Sequence, residues 1–577
     1  MGNRGRWWRW RPQWRPQWRL QWRPRRPRFS SDELHFQSAV IALVLAGVAV
    51  VAALVVFAPP TPPPNPPTPV TVYVPAGAVP FATAAPFWGA NSGLNDPPSP
   101  TVAEAIQATP VRYVRWPGGA AGDSINYTSG MLTNSSGGQY PAVENLSEFV
   151  TWCRSIACHA LLELPGEIDD PTTAAYYVAF TERRLGFQPD LWEIGNEPAI
   201  WTHFGIPWSQ WNDSQAVNAT PESYAQLVGA YITAIHAVDP AAPILGLPGL
   251  GTGMYGEPSW ITATVRANGA NLSGVGIHVY PAGTPPNGTA TLAQFYLNLT
   301  GSRSLGTRIA LDRAAIAAAL PSNPTLPLYV TEYNAGGTPG SWNPYLYDFP
   351  NVPFIAGLVI TGLNLNLTQM DVSQVQTPHA GAWLDGNGTF HPLYQFFRVF
   401  CPQLGPIVVP TQSDPVVDGV FQLLTESSPS GPTTLLVDNA NLTASITVNA
   451  GPLGFAGVPA DLWSWNGTTA GPVVEALEST GDARWTVPPL GLLMVRILPG
   501  PLLNATLPAH VGFGAATGGD LSRAQEGTMG ATGSSTVWAN AWSISAAEAR
   551  WRWEICSTLT PIATVSPADA APARTAR

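Results

Sequence analysis

The chain contains no lysine. All 27 of its basic residues are arginine, and charged residues make up only 11% of its 577 positions. Ten of the arginines fall in the first 28 residues, where there is no acid; from residue 29 onward 17 arginines face 37 acids, a balance of about −20 (17 − 37). A body this acidic is a poor match for polyanions, which bind basic clefts. Cysteine is scarce too, with four residues. Cys153 and Cys158 lie on a predicted helix and bridge only if that helix frays, Cys401 and Cys556 have no obvious mates, and no histidine stands at zinc-ligand spacing beside them. A glycine-rich phosphate loop is also missing, which argues against an open doubly wound sheet. The abundant residues are apolar (45%), with 60 Pro and 55 Gly. Such a chain is loop-rich and globular, and long enough for more than one domain.

The N-terminus predicts an address. Residues 1–37 interleave arginine with tryptophan, and residues 38–58 run 21 positions without a charge. That length suffices for one membrane-spanning helix, and no small-residue cleavage site follows it. The arginine-rich flank stays cytoplasmic as a topology signal, so the rest lies outside. Stacking on nucleic acid is the rival use of an Arg/Trp segment; the topology signal is the simpler account, and no nucleic-acid partner is expected. Thirteen Asn-x-Ser/Thr sequons, from Asn126 to Asn504, all follow the apolar span, as an exterior location predicts.

Punctuation divides the remainder. Residues 59–69 are a proline-rich spacer. Between residues 70 and 400, apolar runs alternate with helical patterns. The expected strands are Pro86–Gly89, Arg112–Trp116, Ala160–Leu164, Leu191–Gly195, Ile244–Leu247, Gly274–Val279, Leu328–Thr331 and Leu367–Val372. Expected helices include 144–155, 171–185, 221–238, 311–320 and 353–363. Eight strand–helix units predict a (β/α)8 barrel. Residues 401–499 carry short β-rich runs and predict an antiparallel sandwich. Residues 500–577 are rich in Ala, Gly, Ser and Thr and are expected to be mostly disordered.

Two strand ends carry the chemistry. Leu191–Pro198 places Asn196 and Glu197 directly after an apolar run, and Leu328–Asn334 ends on Glu332, 135 positions later (332 − 197). In a (β/α)8 enzyme reactive groups sit at the C-terminal strand ends. Two carboxylates there are what a retaining glycosidase needs, one as acid then base, the other as nucleophile. Arg115 lies inside an apolar strand, where a guanidinium needs an acceptor; Glu332 is the natural one. His278 and Tyr280 share one face by period two and point into the barrel. Trp88 and Asn91 are candidates for the floor of a sugar site. Glu163 and Glu167 flank Pro165-Gly166, and Glu167, Asp169 and Asp170 are expected to be solvated rim charges.

These motifs resemble the retaining (β/α)8 glycoside hydrolases of clan A. Within that clan "FWGANSG", "VRWPGG", "WEIGNEP" and "YVTEYNAGG" are most similar to the heparanase-like β-glucuronidases, with α-L-arabinofuranosidase-like families close behind. The resemblance spans about residues 80–500. It implies that Glu197 is the acid/base, Glu332 the nucleophile and Asn196 the ligand of the sugar 2-hydroxyl, supported by Arg115, His278 and Tyr280. "RWPGG" replaces the expected "RIGG", a departure that bears on the glucuronide preference. The expectation is a membrane-anchored, outward-facing retaining glycoside hydrolase acting on an oligo- or polysaccharide without metal or organic cofactor. A non-catalytic glycan-binding or adhesion protein on the same barrel is the alternative, and it predicts a missing or displaced carboxylate.

Overall fold

The computed structural model describes residues 66–497, apart from loop segments such as 93–98, 247–257, 283–290 and 337–343. The tail, the apolar span, most of the spacer and residues 500–577 lie outside the described residues. Among the described residues no helix is long and apolar enough to cross a membrane.

Eight parallel strands close into a barrel: β1 Trp88–Asn91, β2 Tyr113–Trp116, β3 His159–Leu164, β4 Leu191–Ile194, β5 Ile244–Gly246, β6 Gly274–Val279, β7 Leu328–Tyr333 and β8 Gln369–Val372. β8 pairs with β1 through Met370–Trp88 and Val372–Ala90, which completes the ring. Each strand is short, apolar and buried on both faces, as parallel strands under helices must be. Sequence reasoning located all eight. It missed the helices Pro100–Gln107 and Pro258–Asn268.

Local chemistry sets the helix ends. Asn145 and Glu148 form a capping box at the start of Leu146–Ile156, and Thr220 with Ser223 does the same for Pro221–Val238. Asp170, expected to be a free rim charge, caps Pro171–Ala179 by accepting from Thr172 and Thr173. The helix carrying Cys153 stops at Ile156, and Ala157 turns left-handed (φ 54°). That turn brings Cys158 back to bridge Cys153. Cys401 is free and buried.

The second domain comprises two sheets. One has seven strands, Phe81–Ala82, Ile407–Val409, Val420–Glu426, Thr433–Asn439, Gly491–Ile497, Ala460–Trp465 and Val473–Leu477, in that spatial order. The other has four, Gln412–Asp414, Thr68–Tyr73, Ile446–Asn449 and Arg484–Val487. Residues 70–82, assigned to the barrel from sequence, and residues 68–69, assigned to the spacer, thus belong here. Thr68–Tyr73 also runs parallel to Ile446–Asn449, so the domain is not purely antiparallel. Val70, Val72, Leu435, Val437, Ile446, Val448, Leu493 and Val495 fill the space between the sheets. The helix Asn351–Asn364 is apolar nearly all round because it packs between the barrel and the sandwich.

Candidate active site

Strand pairing delivers the polar groups to one end of the barrel. Asn91 and Arg115 are register partners on β1 and β2. On β6 and β7 the register slips between Ile277 and His278, which sets His278 beside Glu332. Glu197 follows β4 in a left-handed conformation (φ 49°, ψ 60°), a strained choice for a residue with a Cβ.

Arg115 is fully buried, and its guanidinium organises the site. Nη1 donates to Glu332 at 2.6 Å and to Asn91 at 3.0 Å; Nη2 donates to Glu163 and Asn196, both at 3.0 Å. Nε donates to Glu193. All three nitrogens are therefore engaged, as burial of so polar a group requires. Asn91 also donates to the Thr331 carbonyl at 2.8 Å, linking β1 to β7.

Glu332 is 8% exposed and accepts from the Tyr280 hydroxyl at 2.6 Å. His278 Nδ1 lies 2.8 Å from Glu197 and 3.6 Å from Glu332. Donor and acceptor atoms of Glu197, His278 and Glu332 all fall within 4.8 Å of one another. A divalent ion held through His278 Nδ1 would displace the His278–Glu197 hydrogen bond.

The electrostatics separate the acids. Burial pushes the Glu332 carboxyl up, but His278, Arg115 and the Tyr280 hydroxyl outweigh it and hold it below the ordinary 4.5. Burial pulls His278 down, and the two glutamates reverse that and raise it above 6.5. Glu163 goes the other way: burial, outweighing Arg115, drives it well above 4.5.

Glu197, Glu332, Asn196, Arg115, His278, Tyr280 and Asn91 therefore converge. Trp88 does not. It alternates with Asn91 along β1, faces the outer core and meets Phe87 edge-on at 5.0 Å. Glu167 is no rim charge: it is 8% exposed and accepts from the backbone N–H groups of Thr202 (2.7 Å) and His203 (2.6 Å). Asp169 lies outside the described residues.

Sequence reasoning passed over Glu193 and Asp123 and gave Glu163 no role. Glu163 in HALLEL and Glu193 in LWEI were detectable as acids inside buried strands, where a charge demands a partner. Asp123 sits in a loop with no such signal.

No protein-family model and no curated protein matches the chain. Solved structures do. The family 51 arabinofuranosidase of Xanthomonas axonopodis pv. citri is 16% identical with a TM-score of 0.61, over 74% of this chain and 99% of that one. The family 51 α-L-arabinofuranosidase of Bifidobacterium longum is 16% identical with a TM-score of 0.59, over 76% and 100%. A bifunctional glucanase-xylanase from a metagenome library is 15% identical with a TM-score of 0.56, over 75% and 100%. At such identity the likeness establishes the fold alone, the one these arabinofuranosidases and this glucanase-xylanase share.

Proposed function

We propose that the protein is a retaining glycoside hydrolase acting on neutral glycosides. One observation carries this: Glu197 and Glu332 bring carboxylate oxygens within 4.8 Å of each other. Retaining enzymes hold their carboxyl groups about 5–5.5 Å apart, whereas inverting ones need roughly 6.5–9.5 Å to admit a water. The alternative of a glycan-binding protein with a displaced carboxylate finds no support in this spacing.

In the mechanism, ionised Glu332 attacks the anomeric carbon while Glu197 protonates the departing oxygen, giving a glycosyl ester and a free alcohol. Glu197, now a carboxylate, takes a proton from water as that water displaces Glu332 from the anomeric carbon. Arg115 and Tyr280 keep Glu332 ionised and aimed. Asn196 spends its side-chain oxygen on Arg115, which leaves its amide N–H groups for the sugar 2-hydroxyl.

Neutral substrates follow from where the arginines are not. The segments running from each barrel-strand end to the next helix, 92–99, 117–145, 165–170, 195–220, 247–257, 280–291, 334–350 and 373–391, contain neither Arg nor Lys. The next arginine after the sixth of them, Arg303, follows Thr300, whose hydroxyl bonds Asp418 of the sandwich domain. Arg115, the one arginine within the eight barrel strands, is committed to Glu163, Glu193, Glu332, Asn91 and Asn196. A uronate entering beside two glutamates would meet repulsion and no free counter-charge.

Membrane anchoring through residues 38–58, with the barrel outside, belongs to the same proposal. Its support is the uncharged span, the ten arginines before it and the sequons after it.

The test is hydrolysis of aryl β-glucuronide, α-arabinofuranoside, β-xyloside, β-glucoside and β-galactoside by the full chain, with Glu332→Ala and Glu197→Ala alongside. Turnover of a neutral member that disappears in Glu332→Ala is expected. A 2-fluoro analogue of that sugar should leave its mass on Glu332. Turnover unchanged in Glu332→Ala would sink the mechanism, and preference for the glucuronide would sink the neutral assignment.

A further inference from the structure

The left-handed turn that presents Glu197 is held by a residue with no contact to any reacting atom. Asp123 lies in the loop after β2 and is 2% exposed. Its Oδ1 accepts from the backbone N–H of Gly166 at 3.0 Å, in the loop after β3. The backbone N–H of Asn196, after β4, reaches both its oxygens, at 3.3 and 3.2 Å. Its Oδ2 also takes the Trp201 indole N–H at 2.7 Å. One carboxylate thus ties together the ends of three successive barrel strands.

Packing makes the same clamp from the other side. The Trp201 ring lies so close over Gly166 and Gly195 that a Cβ at either would stand 2.7 or 2.4 Å from it. Gly195 is itself left-handed (φ 69°), two residues before left-handed Glu197. The indole can reach Asp123 only because both positions are glycine. The turn leading into Glu197 is therefore held by Asp123 at the Asn196 backbone N–H and by Trp201 packed across Gly195.

We propose that Asp123 is the positioning residue for the acid/base, holding the Gly195–Glu197 turn so that the Glu197 carboxyl meets the departing oxygen. This rests on the assignment of Glu197 as acid/base. It has a kinetic signature that a loss of folding would not produce. Proton donation matters when the leaving group is basic and hardly at all when it departs as a stable anion. Displacing Glu197 alone should slow alkyl or phenyl glycosides and spare dinitrophenyl glycosides. Displacing Glu332 or the sugar should slow both.

The experiment compares kcat/KM of the full-length protein and its Asp123→Ala, Asp123→Asn, Trp201→Phe and Glu197→Ala variants on 2,4-dinitrophenyl and phenyl glycosides of one sugar. Asp123→Ala should lose on the order of 10²-fold on the phenyl glycoside, within the range general acids contribute, and only a few-fold on the dinitrophenyl one. Asp123→Asn, which keeps an acceptor oxygen, should recover most of the loss. Trp201→Phe should lose in the same direction by less, and it carries the test if Asp123→Ala does not fold. Equal losses on both substrates, or none, overturn the proposal. Glu197→Ala sets the benchmark: if it lacks leaving-group selectivity, the acid/base assignment itself has failed, and the proposal falls with it for that separate reason.

Discussion

Arg115 holds one positive charge among Glu163, Glu193 and Glu332, all buried. Burial raises Glu163, which eases the crowding of acids around one guanidinium. Removing the guanidinium would strand them. Arg115→Met should therefore destabilise the fold by about 3–5 kcal/mol, the usual result of breaking a buried pair from one side, as read from denaturant unfolding. Arg115→Lys should recover little of that, since an ammonium cannot span five acceptors. Tyr280 makes a finer test. Its hydroxyl bonds Glu332 in the charged form, so Tyr280→Phe removes one of the influences holding that carboxyl down. Glu332 with a depressed pKa stays ionised down to a pH below 4.5; it also adds stability above that value that disappears as pH falls through its folded pKa. Tyr280→Phe should move the acid limb of kcat/KM upward. A limb that stays put or moves down would show that the hydroxyl does not govern the nucleophile.

Elements were legible where the signal was local. Most barrel strands are largely apolar runs with Gly, Pro or Asn at or beside one end, and Pro221–Val238 was found to the residue because Thr220 and Pro221 mark its start. Pro100–Gln107 is eight residues, too short for its period to stand out. The partner of Thr68–Tyr73 was not legible at all: alternation shows that a run is a strand, but its neighbour Ile446–Asn449 lies far along the chain. The site divides the same way. Glu197 and Glu332 could be read from their strand ends, whereas Asp123 acts through backbone groups of loops that only the fold assembles. The contact between domains depends on the helix Asn351–Asn364. A Cβ at Gly357 would stand 3.0 Å from the Phe421 ring and 3.3 Å from Asp438. Gly357→Val should cost about 1–3 kcal/mol by overpacking, lowering the melting temperature. Its kcat/KM below the melt should match wild type, because Gly357 faces the sandwich and not the strand ends.

At the scale of the whole molecule, charge and modification sites bear on where the protein works. The arginines cluster before the apolar span, while the sequons follow it, which makes the sequons usable markers of which side each segment reaches. They are not equivalent as acceptors. Asn298 is 9% exposed, and its Nδ2 donates to the Pro281 carbonyl at 2.7 Å. A glycan on that nitrogen would need both the burial and the hydrogen bond to be undone. Asn126 is different: it is half-buried, and its Oδ1 accepts from Thr128 and Ser129 in an exposed turn. Passed through a eukaryotic secretory pathway, the folded protein should carry glycan at Asn126 and none at Asn298. Peptide mass mapping after enzymatic deglycosylation in heavy-oxygen water would read both sites. Glycan at neither, in protein shown to be membrane-bound, would mean that the barrel faces the cytoplasm and that the proposed topology is inverted. Glycan at Asn298 in folded protein would contradict the packing beneath β6 directly, because the Pro281 contact and an attached sugar cannot coexist.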